Sequence, residues 1–230
     1  ALEAFEQALG AVVPPEHERA RKAIVAMEIA REHLGRILLD WPRNVGFSDH
    51  FSQAVRSHRL LFEVQRGLYP DGNFQDIGGG RLDPDLKTLE AMGTNLEAIL
   101  REILGVPLDE FREINSLQGF RVYLDEVGEG PLVPTFLRML LDAGRAGWGT
   151  SNVPALPDLD RTELAEVLAD EGGGERTGFG FEWQGGAYET GPLARQRGAP
   201  LVEEAVSEHG KGLLSRHLAR LTELADLRDV

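Results

Sequence analysis

At 230 residues the chain can bury a sizeable core as one large domain or two small ones. Its net charge of −14 repels phosphate backbones, so nucleic acid is a poor partner, whereas a basic protein surface would be attracted to it. It has no cysteine, which removes disulfides, zinc–thiolate sites, iron–sulfur clusters and cysteine nucleophiles from this chain. The longest apolar stretch, residues 20–41, is interrupted by Arg21, Lys22, Glu28, Arg31, Glu32 and Arg36, so no transmembrane helix is expected. No basic-then-apolar leader opens the sequence, and the expectation is a cytoplasmic protein without membrane insertion.

In chain order the dominant period is helical. Residues 1–9 read as a short helix with Leu2, Phe5 and Leu9 on one side, broken by Val12-Val13-Pro14-Pro15. A long helix follows over residues 16–40, and Trp41-Pro42 is expected to end it, because the residue before proline disfavours the α region. Ser48 or Asp49 can cap a third helix that reaches Arg66, and a glycine-rich loop covers residues 67–81. Asp83-Pro84 signals a helix whose apolar residues, Leu86 to Leu104, keep the 3.6 period until Gly105 and Pro107. Short helices are expected over 108–115 and 131–143, and the alternation of Phe120, Val122 and Leu124 suits a strand as well as a helix. Residues 144–159 read as a long loop and 161–169 as a short helix. Phe179, Phe181 and Trp183 alternate before Gln184-Gly185-Gly186 turns the chain into Ala187-Tyr188-Glu189, a small β-hairpin. A leucine-rich helix over 213–227 closes a mostly α fold, read as one domain spanning 1–230.

One heptapeptide stands out, Glu189-Thr190-Gly191-Pro192-Leu193-Ala194-Arg195. It resembles the Glu-Val-Gly-Pro-Leu-Ala-Arg segment of the large subunit of nickel-iron hydrogenases, and Trp183-Gln184-Gly185 resembles the approach to it. The opening residues 1–10 are similar to the helix that follows that family's Cys-x-x-Cys motif, and Val13-Pro14-Pro15 to its next turn. Glu32-His33-Leu34-Gly35-Arg36 keeps the first histidine of a family Asp-His-x-x-His-Phe motif and has Arg36 where the second would stand; Leu39-Asp40-Trp41 keeps the helix end. The stretches 31–42 and 74–81 most resemble the cysteine-poor hydrogenase expression/formation accessory proteins of the HupK/HoxV type.

The resemblance implies a hydrogenase large-subunit-like helical bundle, as a fragment of a longer chain lacking the N- and C-terminal ligand segments. It implies a non-catalytic accessory or scaffold protein in nickel-iron hydrogenase maturation. Such a protein would assist assembly or transfer of the Fe(CN)2(CO) group, with none stably bound within this chain. Its implied partners are maturation chaperones and hydrogenase subunits. Two other readings stand beside it: a truncated catalytic large subunit, and a cofactor-free docking protein. Any iron or nickel held by such a chain needs soft sulfur ligands that these residues lack.

The cofactor-binding candidates are Arg195, Glu189 and His33. The rigid fork of Arg195 suits a carboxylate such as Glu189 or an anionic ligand, cyanide nitrogen included, and a structural arginine–carboxylate pair is the favoured reading. His33 is either a polar residue of a cofactor cavity or a satisfied core histidine. Asp40 and Trp41 fit the capping or packing of a helix end. His50/His58 and His209/His217 are eight residues apart, outside the i, i+4 chelate spacing. The glycine runs 78–80 and 172–174 lack the Gly-Lys-Ser/Thr of a phosphate loop, and no Gly-x-Ser-x-Gly elbow is present, so no catalytic residues are assigned.

Overall fold

The computed structural model describes residues 2–157, 159–160, 162–163, 182–183 and 185–227. The protein is mostly helical. Its helices are α1 (Leu2–Leu9), α2 (Pro15–Gly35), a π-turn (Arg36–Asp40), α3 (Trp41–Asn44), α4 (Phe51–Leu68), α5 (Leu86–Leu104), α6 (Leu108–Arg112), α7 (Leu117–Val127) and α8 (Leu132–Asp142). After them come the strands β1 (Glu182–Trp183) and β2 (Gly186–Ala187), then α9 (Pro192–Arg195), α10 (Pro200–His209) and α11 (Leu213–Asp226). The strands pair antiparallel, Glu182 opposite Ala187, as the expected hairpin. Phe179, Phe181, Gln184 and most of the expected 161–169 helix lie outside the described residues. Among the described residues no helix is long and apolar enough to cross a membrane.

The chain divides into two compact units. The first comprises Ala1–Ile114, Arg121–Met139 and Leu224–Val230; the second comprises Asn115–Phe120 and Leu140–Glu223. In the first, Ile24, Leu34, Ile37, Leu38, Ile99 and Leu104 are fully buried. Each such side chain contributes about 1.5–3 kcal/mol of burial. The indole of Trp41 stacks on Phe136 at 4.7 Å between ring centres. In the second, Leu193, Val202 and Ala219 form a buried cluster with Ala199 and Val206 against it.

Three boundaries differ from the sequence reading, each for a local reason. Pro42 does not end the long helix: Trp41 is helical, and its N–H reaches back five residues to the Arg36 carbonyl. That wider π register accommodates the proline, and the Leu38 carbonyl, which Pro42 cannot serve, accepts the N–H of His50 at 3.0 Å. Neither Ser48 nor Asp49 caps α4, whose N-cap is His50; Asp49 is engaged with Arg43 at 3.1 Å. The start of α5 lies beyond Asp83-Pro84, because the Asp85 carboxylate accepts the N–H groups of Lys87 and Thr88 at 3.1 and 3.3 Å.

α1 is turned inside out. Phe5 and Leu9 are 64% and 66% exposed, while Glu6 between them is 2% exposed. Its hold on the unit is therefore polar.

Candidate functional site

The Glu189–Arg195 segment lies in the second unit and is built into it at both ends. Glu189 is fixed first by its backbone: its N–H donates to Pro154 C=O at 2.7 Å, and its C=O accepts from Leu156 N–H at 2.9 Å. Its carboxylate then takes the fork of Arg216, Nε to Oε1 at 3.1 Å and Nη2 to Oε2 at 3.0 Å. Arg216 also donates to the carbonyls of Gly149, at 3.1 Å, and Lys211, so one guanidinium ties three chain segments together.

Gly191 then adopts φ 103° and ψ −167°, a backbone that favours glycine, and Pro192 follows at the first position of α9. This is the helix start that the Gly-Pro pair predicts. Leu193 and Ala194 go into the core, and Arg195 emerges from the last turn of α9 to meet Glu223 of α11. The pair is two-pronged, with Nη2 to Oε2 at 2.8 Å and a second, very short contact from Nε to Oε1. The hydrogen bond to Glu223 raises the Arg195 pKa above its ordinary value; burial opposes this and the carboxylate charge adds to it.

The arginine–carboxylate reading of Arg195 thus holds, with a different partner from the one nearest in sequence. Arg195 takes Glu223, 28 residues on, and Glu189 takes Arg216, 27 residues on. Neither Arg216 nor Glu223 was singled out from sequence. Both lie on the amphipathic helix α11, and their signal is a charged residue placed on its buried or half-buried side. Beside this segment lies a depression of about 340 Å³ lined by Leu193, Ala194 and Val206, with Arg197, Glu203 and Lys211 around it.

His33 belongs to the first unit, 4% exposed on α2 just before the π-turn. Asp40 pairs with Arg36 at 2.7 Å, and Trp41 is packed as expected of a helix end. The first unit also holds a polar cluster that sequence reading passed over. The carboxylate of Glu6 accepts two hydrogen bonds from Arg21 at 2.9 Å and the N–H of Gly78 at 2.9 Å. Arg21 continues to the carbonyls of Phe74, at 3.3 Å, and Asp76, at 2.9 Å. Next to it, His17 Nδ1 and the hydroxyl of fully buried Tyr69 share a hydrogen bond of 3.0 Å. Burial raises the Tyr69 pKa, and the Arg21 charge partly offsets this. Gly79, at φ 96°, passes so close that a Cβ there would stand 2.7 Å from His17 Nδ1. The glycine-rich loop over residues 67–81 is thus clamped onto α1 and α2.

Chemically, both clusters are oxygen and nitrogen sets whose charges are already matched internally. Among the described residues no three His, Asp or Glu side chains gather as metal ligands. A tightly held iron–cyanide–carbonyl group calls for thiolates, and this sequence has no cysteine. No protein-family model, curated protein or solved structure matches this chain.

Proposed function

We propose that the protein is a non-catalytic accessory or scaffold of nickel-iron hydrogenase maturation, a large-subunit-like body that assists assembly or transfer of the Fe(CN)2(CO) group. The observation that carries the reading is the signature segment: the Glu189 to Arg195 motif keeps its Gly-Pro turn and its charged ends in a chain without thiolates. In this reading the iron group is cargo, and any sulfur that holds it comes from a partner or from residues outside this sequence.

A cofactor-free docking role is the second reading. It is favoured by the engagement of Arg195 with Glu223 and of Glu189 with Arg216, which occupies the groups that would otherwise face an anionic ligand.

The test is the infrared spectrum, in the cyanide and carbonyl stretching region, of the full protein purified anaerobically from its host. Bands from iron-bound diatomic ligands are expected if the protein carries the group, and their absence with good recovery assigns the docking role. Unchanged hydrogenase maturation after deletion of the protein would overturn both.

A further inference from the structure

Among the described residues, the first unit carries an apolar groove. α2 and α5 both pack on α4 but make little contact with each other. The space between them is a groove of about 650 Å³ with Val64 of α4 in its lining. Ala23, Ala26 and Ala30 line it from α2, and Met92, Gly93 and Leu96 from α5. We propose that this groove receives an amphipathic helix from a partner protein, laid apolar side down, with lysine or arginine along the flank that faces α5. Its lining shares no residue with Glu189–Arg195, and the proposal does not depend on the proposed role in maturation.

Three observations select this occupant. Two helices flank a third, and among the described residues the groove between them, lined also by Leu108 of α6, Leu224 of α11 and Leu227, is mainly apolar. Its described lining contains two ionisable side chains, Glu90 and Glu97, both exposed on α5. They are seven residues apart, about 10 Å along one helix face, so they match basic residues two turns apart on an incoming helix. With no cation in that lining, an acidic flank would be repelled.

Gly93 is the third. It sits inside α5, where glycine costs about 1 kcal/mol relative to alanine. A Cβ added there would meet no atom within 4 Å among the described residues, so none of them sterically requires the glycine. A smooth wall at that point lets a second helix backbone approach closely.

The experiment uses the full chain and a labelled leucine/lysine amphipathic peptide of roughly 16 residues, long enough for four turns. Its controls are the same apolar face with glutamates on the flank, and a scramble of the leucine/lysine composition. We expect saturable binding of the first peptide and roughly tenfold or weaker binding of both controls. Glu90→Gln with Glu97→Gln should weaken binding roughly five- to tenfold. Gly93→Leu, which fills the groove from an open wall and improves helix propensity, should abolish binding while leaving the thermal midpoint unchanged or higher. Equal binding of the scramble would reduce the effect to the net charge and overturn the proposal, as would full binding to Gly93→Leu. Self-association of the free protein that Gly93→Leu removes would also overturn it, by assigning the groove to a second copy.

Discussion

Arg195 and Glu223 are unequal partners, and the inequality gives their pair a direction. The Arg195 side chain is 51% exposed and the Glu223 side chain 7% exposed. Removing the guanidinium strips the chief cation from a buried carboxylate, whereas removing the carboxylate charge frees an arginine that can turn to water. We expect Arg195→Met to lose about 2 kcal/mol, discounted from a fully buried pair because solvent screens the arginine. Glu223→Gln, which keeps the shape and can still accept a hydrogen bond, should lose about 1 kcal/mol. Urea titrations at neutral pH measure both, and an equal or reversed order would mean that the pair is merely a surface contact. The pairing also marks a limit of sequence reading. The fork of Arg195 announces a carboxylate, but which one depends on α11 crossing α9, and residues 195 and 223 have no local relation.

At the scale of elements, α1 tests how a helix can be held against its own amphipathicity. The sequence places Leu2, Phe5 and Leu9 on one side, the usual mark of a buried stripe. The structure sends Phe5 and Leu9 outward and anchors the helix through buried Glu6, held by Arg21 and Gly78. Glu6→Ala should therefore release α1 without unfolding the rest of the unit. Limited proteolysis should cut near Leu9 to Val12 at least tenfold faster, with the main unfolding transition little changed. A large drop in global stability would show instead that the clamp organises the whole unit. Other elements were legible where one signal dominated: the helix over α5, its stop at Gly105, the paired strands of the hairpin and the leucine face of α11. The ambiguous 119–126 stretch is helix: Phe120, Tyr123 and Leu124 are each buried while Val122 is 43% exposed, a 3.6 period and not an alternation. Pro42 misled because its usual penalty is absorbed by a π-turn, which a local dipeptide signal does not encode.

At the scale of the molecule, acid acts in two opposing ways. With a net charge of −14 and a sequence pI near 4.9, lowering the pH from neutral relieves self-repulsion and favours compactness. His217 acts in the other direction. Burial first, and then the Arg220 charge, lower its pKa to about 3. An unfolded histidine titrates near about 6.5. Between those values the unfolded chain takes up a proton that the folded chain refuses, so stability must rise with pH. The contribution of neutral His217 is complete above about pH 6.5 and is lost progressively as the pH falls towards 3, by up to about 1.4 kcal/mol per pH unit. Charge relief is common to the wild type and to His217→Gln, so their difference isolates the histidine. From about pH 7 to about pH 5 the wild type should lose about 1–2 kcal/mol relative to His217→Gln, read from urea midpoints by circular dichroism. Parallel pH curves for the two proteins would mean that the imidazole is solvated in the folded state and that the second unit is less tightly closed around α11 than its geometry indicates.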